Sequence, residues 1–271
     1  MTEKLLRKEE NGFVAFQAPQ MLRAGGAKHL YTTRRGGVSQ GVFASLNFRH
    51  TGDSPENIRE NCSRTAALLG LSYEDLIRTQ QKHTDLIDVV TTRGKGIRIG
   101  FEGKQPSDGL MTNLPGVCLM GFYADCQLLF FYDPVCRAVA AVHSGWRGTA
   151  RGIAEKTVAM MARQYGTNPR DLLVSIGPSI CADCFETDSD VYLALAGRFG
   201  GEVDAFTQRR GKKYHIDTKA LNVWRLGCAG VPEQNIAVAE ECTCCGDPAL
   251  FWSHRRQGDA RGVHAGLIAL E

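Results

Sequence analysis

The chain lacks a long uninterrupted apolar run, carries almost no net charge and has few histidines; each shortage excludes a class of function. Its longest apolar stretch, residues 117–142, is cut by Asp125, Gln127, Asp133, Pro134 and Arg137, so it does not read as a membrane span. Residues 1–11 are charged and have no apolar core of signal-peptide length, which predicts a soluble, cytoplasmic protein with no membrane partner. Lys plus Arg total 32 against 29 acidic residues, a net charge of +3. Arg34-Arg35, Arg209-Arg210 and Arg255-Arg256 are isolated pairs rather than a basic block, so nucleic acid is not an expected partner. Internal repeats, low-complexity tracts and clear linkers are also missing.

What is present is a chain of 271 residues, long enough to bury a substantial core. Its 10 cysteines, without an export signal, are expected as reduced thiols. Cys62, Cys118, Cys136 and Cys228 sit among apolar residues and read as small buried hydrophobes. Ser54-Pro55 starts a helix with Ile58, Cys62, Ala66 and Leu69 on its apolar face, and Gly70 stops it. Residues 117–123 and 127–132 read as strands flanking Ala124-Asp125-Cys126, and Asp133-Pro134 turns the chain into a strand ending at Val142. Residues 86–90, 172–176 and 235–239 read as further strands, and Asp217 caps a helix to about Cys228. Residues 93–108, rich in glycine, read as a surface loop. Strands and helices mix without the alternation of a doubly wound sheet. The predicted class is α+β, with mixed α/β layers, in a single domain over residues 1–271 whose first ~20 residues are peripheral.

The most informative run is His143-Ser144-Gly145-Trp146-Arg147-Gly148. It follows a buried strand, residues 138–142, and precedes a helix, residues 149–165, so an imidazole and a guanidinium stand at a strand's carboxyl end. The bland reading is a tight turn with a core histidine. His83 precedes another strand and Cys126 interrupts two more, so one sheet edge could bring His83, Cys126 and His143 together. Two imidazoles and a thiolate make a zinc set with a fourth position left for water or substrate. The same set suits copper. A metal-free alternative makes Cys126 a nucleophile and His143 its base. Cys242-Thr243-Cys244-Cys245 resembles a metal knuckle, but Cys181 and Cys184 are distant in sequence, so packing is the expected role.

Several motifs together resemble the YlmD/YfiH-like family, also described as multicopper polyphenol oxidase or laccase-domain proteins. They are Thr33-Arg34-Arg35-Gly36-Gly37-Val38-Ser39, Ser45-Leu46-Asn47, Gln81-Lys82-His83, Ala124-Asp125-Cys126, the run opened by His143, Gly177-Pro178-Ser179-Ile180 and Phe251-Trp252-Ser253-His254-Arg255-Arg256. The resemblance implies a metal site of His83, Cys126 and His143, usually zinc, and a fold like the catalytic domain of cytotoxic necrotizing factors. It also implies phosphorolysis of adenosine, inosine and S-methyl-5′-thioadenosine with adenosine deamination, or else removal of L-serine from a UDP-muramyl peptidoglycan precursor. Two departures from the family pattern stand out: Gln127 follows Ala-Asp-Cys where proline is usual soon after, and Ser144 replaces alanine.

For deamination, Asp125 is the candidate for moving protons beside Cys126 and His143, with a turn-capping role as the bland reading. For phosphate, Arg147 and Arg34 are the first candidates because a guanidinium fork matches phosphate; Arg255, Arg256 and Arg261 are weaker. Gln81 is expected to orient His83 or meet substrate. The expected partners are a nucleoside and phosphate, and the chain is expected as a monomer or weak homodimer. A four-copper oxidase is excluded by counting: only 7 histidines occur, with no His-x-His pair. A third class remains open, a non-enzymatic binding module stapled by zinc.

Overall fold

Three apolar runs near the middle of the chain set the centre of the molecule. In the computed structural model, which describes residues 2–93, 98–99 and 106–271, these become the strands Cys118–Tyr123, Gln127–Asp133 and Ala138–Ser144. The last two pair antiparallel, with Leu128 opposite His143 and Gln127 opposite Ser144. Cys118–Tyr123 belongs to a different sheet, where it pairs with His264–Leu270. Ala124-Asp125-Cys126 is therefore the crossing between sheets, and Asp125 takes a φ of 91° there, a region that non-glycine residues seldom occupy.

Among the described residues each of these two sheets has seven strands. In the first, Gln127–Asp133 lies between Ala138–Ser144 and Leu173–Ile176; Gly109–Thr112 and Ile87–Val89 extend one edge, Ile236–Val238 and Glu3–Lys4 the other. In the second, His264–Leu270 lies between Ala27–Thr32 and Cys118–Tyr123, with Leu76–Arg78 next to the latter. A small sheet of Glu186–Thr187, Lys213–Ile216 and Thr207–Arg210 completes the β structure.

Side chains alternate across a strand, so each buried strand serves two cores. Leu128 and Phe130 face the second sheet, packing with Phe16, Tyr31, Leu119 and Ile268. Tyr31 stacks on Phe130 with ring centroids 4.3 Å apart. Leu129 and Phe131 face outward against Ile153, Val158 and Met161 of the helix Ile153–Tyr165. Coverage on both faces explains why these strands read as continuous apolar runs rather than alternating ones. The helix Pro55–Ala67 covers the outer face of the second sheet through Ile58, Cys62 and Ala66, and Ser54 caps it by accepting from the N–H of Asn57. The architecture is mixed α/β, as the sequence predicts.

Several local expectations need correction. The helix expected over residues 149–165 is two helices, Trp146–Ala150 and Ile153–Tyr165, separated at Arg151-Gly152. The first residues are not all peripheral: Leu6–Glu10 is an exposed edge strand, but Phe13–Gln17 buries Phe13, Val14, Ala15 and Phe16. Cys62 and Cys118 are buried, whereas Cys136 is half-buried and Cys228 exposed. Most of the loop expected over residues 93–108 lies outside the described residues; within it, Arg98–Ile99 is a strand paired parallel with Ile77-Arg78. No helix among the described residues is long and apolar enough to cross a membrane.

Candidate metal and substrate site

Three separate elements deliver the site's donors. His143 lies near the end of Ala138–Ser144, Cys126 at the crossing between sheets, and His83 on the loop after Leu76–Arg78. That loop is held along the neighbouring strand by Gln81, whose side-chain amide behaves like one more peptide unit. Its Oε1 accepts from the N–H of Phe122 at 2.8 Å, and its Nε2 donates to the carbonyl of Phe122 at 2.7 Å. Gln81 thus positions the His83 loop through backbone rather than orienting the His83 ring. Arg151 adds a bond to the His83 carbonyl at 3.1 Å.

The group that organises the imidazoles is Asp108, a buried carboxylate at the start of Gly109–Thr112. It accepts from the N–H groups of Lys82 at 3.0 Å, His83 at 3.0 Å and Thr84 at 2.8 Å, and from the Thr84 hydroxyl at 2.9 Å. Its second oxygen also lies 2.7 Å from Nδ1 of His143. Sequence reading missed Asp108. The available signal was the need of a metal-bound histidine for a carboxylate partner on its other nitrogen, together with an acid placed next to a buried strand.

The ligand atoms of His83, Cys126 and His143 all lie within 4.8 Å of one another, with Nε2 of His83 3.8 Å from Sγ of Cys126. With Nδ1 of His143 engaged by Asp108, Nε2 is the atom left to face the other two donors. Gly145 makes room for them: a Cβ there would lie 2.7 Å from Cδ2 of His83 and 3.0 Å from Sγ of Cys126. Soft sulfur plus two imidazoles, one pre-oriented by a carboxylate, fits zinc or copper. Among the described residues this group offers no fourth protein ligand.

Electrostatics reinforce the grouping. Burial pushes the Cys126 thiol up, but the imidazoles of His143 and His83 outweigh it and bring the thiol down to about 6. Burial works against a charged His143, yet Cys126 and Asp108 reverse this and raise it to about 9. Asp108 resists its own desolvation through His143 and the N–H groups of Lys82 and Thr84, and sits at about 2.

His83 and Cys126 open into a cavity of about 470 Å³ that Trp146, Arg147, Phe185, Arg255 and Arg261 also line, while His143 is buried behind its wall. Arg147 is exposed, its guanidinium 4.1 Å over the Trp146 ring and without a protein acceptor among the described residues. Arg261 is more enclosed, and its Nε is buried without a partner. Arg255 donates through Nη1 to the Cys184 carbonyl at 2.9 Å. Arg34 does not line this cavity: its guanidinium lies 3.6 Å over the Trp252 ring and donates to the carbonyls of Ala44 and Pro248. Asp125 is tied by both oxygens, accepting from Thr243 Oγ1 at 2.7 Å and from the N–H of Arg255 at 2.6 Å.

Gln127 and Ser144, cross-strand neighbours, both line the cavity. Asn222 donates to Oε1 of Gln127 at 2.9 Å and reaches Ser144 Oγ at 3.4 Å, while Gln127 donates to Thr218 Oγ1 at 2.9 Å. A larger surface hollow of about 1000 Å³, along Lys219, Val223 and Trp224, contains none of the three donors.

Fold and donors together define a mixed α/β protein with a His-Cys-His group at the crossing between two sheets. The chain belongs to the family described as multi-copper polyphenol oxidoreductase laccase, which matches residues 28–271. Among its relatives is the purine nucleoside phosphorylase YlmD of Bacillus subtilis (strain 168), 34% identical over 244 residues, covering 89% of this chain and 87% of the relative. A protein named adenosine deaminase RL5, from an unknown prokaryotic organism, is 32% identical over 233 residues, covering 84% of this chain and 88% of that one. The crystal structure of YlmD from Geobacillus stearothermophilus matches with a TM-score of 0.88 at 33% identity, covering 99% of each chain.

Proposed function

We propose that this chain is a purine nucleoside enzyme that cleaves adenosine, inosine and S-methyl-5′-thioadenosine with phosphate and also deaminates adenosine. In this reading zinc is held by Nε2 of His83, Sγ of Cys126 and Nε2 of His143, and copper would suit the same atoms. The observation that carries the proposal is that His83 and Cys126 of this donor group line one cavity with Arg147, Arg255 and Arg261. The names of the relatives, purine nucleoside phosphorylase and adenosine deaminase, support the same substrate class.

Arg147, whose guanidinium has no protein acceptor among the described residues, binds phosphate, and Arg261, which gives Nη1 to the Gly262 carbonyl but has no acceptor for Nε, adds positive charge beside it. Phe185 and Trp146 supply apolar walls for the purine. Asp108 fixes the tautomer and ring orientation of His143. Asp125, which sequence reading cast as a proton carrier, here positions Cys126 and the amide of Arg255. In phosphorolysis a phosphate oxygen bonds to the sugar C1′ while the bond to the base breaks; the base departs with the electron pair and is protonated. Zinc, when bound, supplies a Lewis acid beside the reacting centre.

One observation favours a second reading. His143 and His83 pull the Cys126 thiol down while Cys126 and Asp108 push His143 up, which favours a thiolate–imidazolium pair, the state a metal-free cysteine nucleophile needs. Both readings are tested by incubating the purified chain with each nucleoside and phosphate and identifying products. Free base and pentose 1-phosphate, lost on chelation and restored by zinc, are expected. Turnover that survives complete metal removal would favour attack by Cys126. Turnover of a serine-containing muramyl nucleotide alone would overturn the nucleoside reading.

A further inference from the structure

Two Cys-x-x-Cys pairs, far apart in sequence, close on one another beside the first site. Cys181 and Cys184 flank a turn in which the N–H groups of Cys184 and Phe185 donate to the Cys181 carbonyl. Cys242 and Cys245 flank a second turn, joined to the first by a parallel bridge between Ser179 and Cys242. The four Sγ atoms lie within 4.8 Å of one another, and those of Cys181 and Cys245 are 3.9 Å apart. A tetrahedral ion with Zn–S bonds of about 2.3 Å sets sulfurs about 3.8 Å apart, whereas a disulfide needs about 2.05 Å. We propose that Cys181, Cys184, Cys242 and Cys245 form a second, structural zinc site with a closed tetrathiolate shell.

The local backbone is shaped for a thiolate. Sγ of Cys242 accepts N–H bonds from Cys181 at 3.2 Å, Cys244 at 3.3 Å and Cys245 at 3.5 Å. Donors converging on one sulfur favour its ionised form and fix the direction in which it points. Gly246 completes the turn, because a Cβ there would lie 2.2 Å from the Cys242 carbonyl oxygen. Four thiolates on a divalent ion leave a charge of −2, and Lys219 brings a cation close by, donating to the carbonyl of Glu241 at 3.0 Å.

The position also says what such an ion does. Cys184 offers its carbonyl to Arg255, Arg256 donates to the carbonyls of Thr243 and Cys244, and Thr243 donates to Asp125. An ion here staples two loops whose backbones hold the arginine-bearing segment of the cavity. Four protein ligands leave no open position, so the role is structural rather than catalytic.

Elemental analysis of the reduced full chain, the Cys126→Ala variant and the Cys245→Ser variant tests this. Two zinc ions per chain are expected, with each variant losing one, and Cys245→Ser melting several degrees lower. Unchanged zinc in Cys245→Ser would overturn the proposal. So would a Cys181–Cys245 disulfide found by mass spectrometry after alkylation of the chain as isolated. Should Cys245→Ser fail to fold, cobalt(II) loading of the metal-stripped Cys126→Ala protein decides: thiolate-to-cobalt charge-transfer absorption is expected, and its absence overturns the site.

Discussion

One oxygen of Asp108 serves both histidine-bearing segments at once, lying 2.7 Å from Nδ1 of His143 and 3.0 Å from the backbone nitrogen of His83. Replacing Asp108 by asparagine keeps the size but turns one acceptor into a donor facing N–H groups. Loss of about 10–100-fold in zinc affinity is expected, with a stability cost of roughly 1–3 kcal/mol from unpaired buried groups. Competition with a chromogenic chelator measures the first and denaturant unfolding the second. Wild-type affinity in Asp108→Asn would show that the carboxylate does not organise the donors.

Gly145→Ala places a methyl group against His83 and Cys126. Either the ring or the sulfur must move, and near-complete loss of activity is expected while the far-ultraviolet circular dichroism stays native. An active Gly145→Ala enzyme with full metal content would refute the crowding.

The arginines separate by geometry. Arg147→Ala should raise the KM for phosphate by about tenfold, the order of one lost charge-assisted hydrogen bond. Arg34→Ala should leave that KM unchanged and instead lower the melting temperature, because Arg34 binds Ala44, Pro248 and the Trp252 ring. Steady-state kinetics with varied phosphate reads both variants; a phosphate defect in Arg34→Ala alone would reverse the assignment.

Acid stability follows from two buried histidines away from the site. Nε2 of His29 accepts from the N–H of Ala18, and Nε2 of His264 from the N–H of Trp252, each at 2.7 Å. Burial lowers His29 to about 4; burial likewise leads for His264, which falls to about 3. Below the unfolded value of about 6.5 the unfolded chain binds these protons and the folded chain does not. Stability is thus fully present above pH 6.5 and falls as pH drops toward the folded values, by on the order of 3 kcal/mol per histidine. Urea unfolding from pH 7 to 4 measures the slope, and a flat profile would contradict neutral burial of both rings.

Much of the scaffold was legible because strands buried on both faces leave continuous apolar runs, as at residues 117–123 and 127–132. The breaks in those runs also marked His143 and Cys126, which the fold brings together with His83. What sequence could not reveal were partners set by long-range closure. Asp108 lies at the end of a glycine-rich stretch with nothing local to link it to His143. Arg34 looks like an anion binder until the chain returns Trp252 beneath it. The pairing of Cys181 and Cys184 with Cys242 and Cys245 depends on the bridge at Ser179, which no local pattern encodes.

His143 stands on the first sheet, Cys126 at the passage from the second sheet into the first, and His83 on the loop that leads from Leu76–Arg78 of the second sheet to Ile87–Val89 of the first. An ion gripped by all three would rivet the layers together at that corner. Sliding of one layer over the other would then register first as a change in the ion's coordination, making its bound spectrum a gauge of how the whole sandwich is seated.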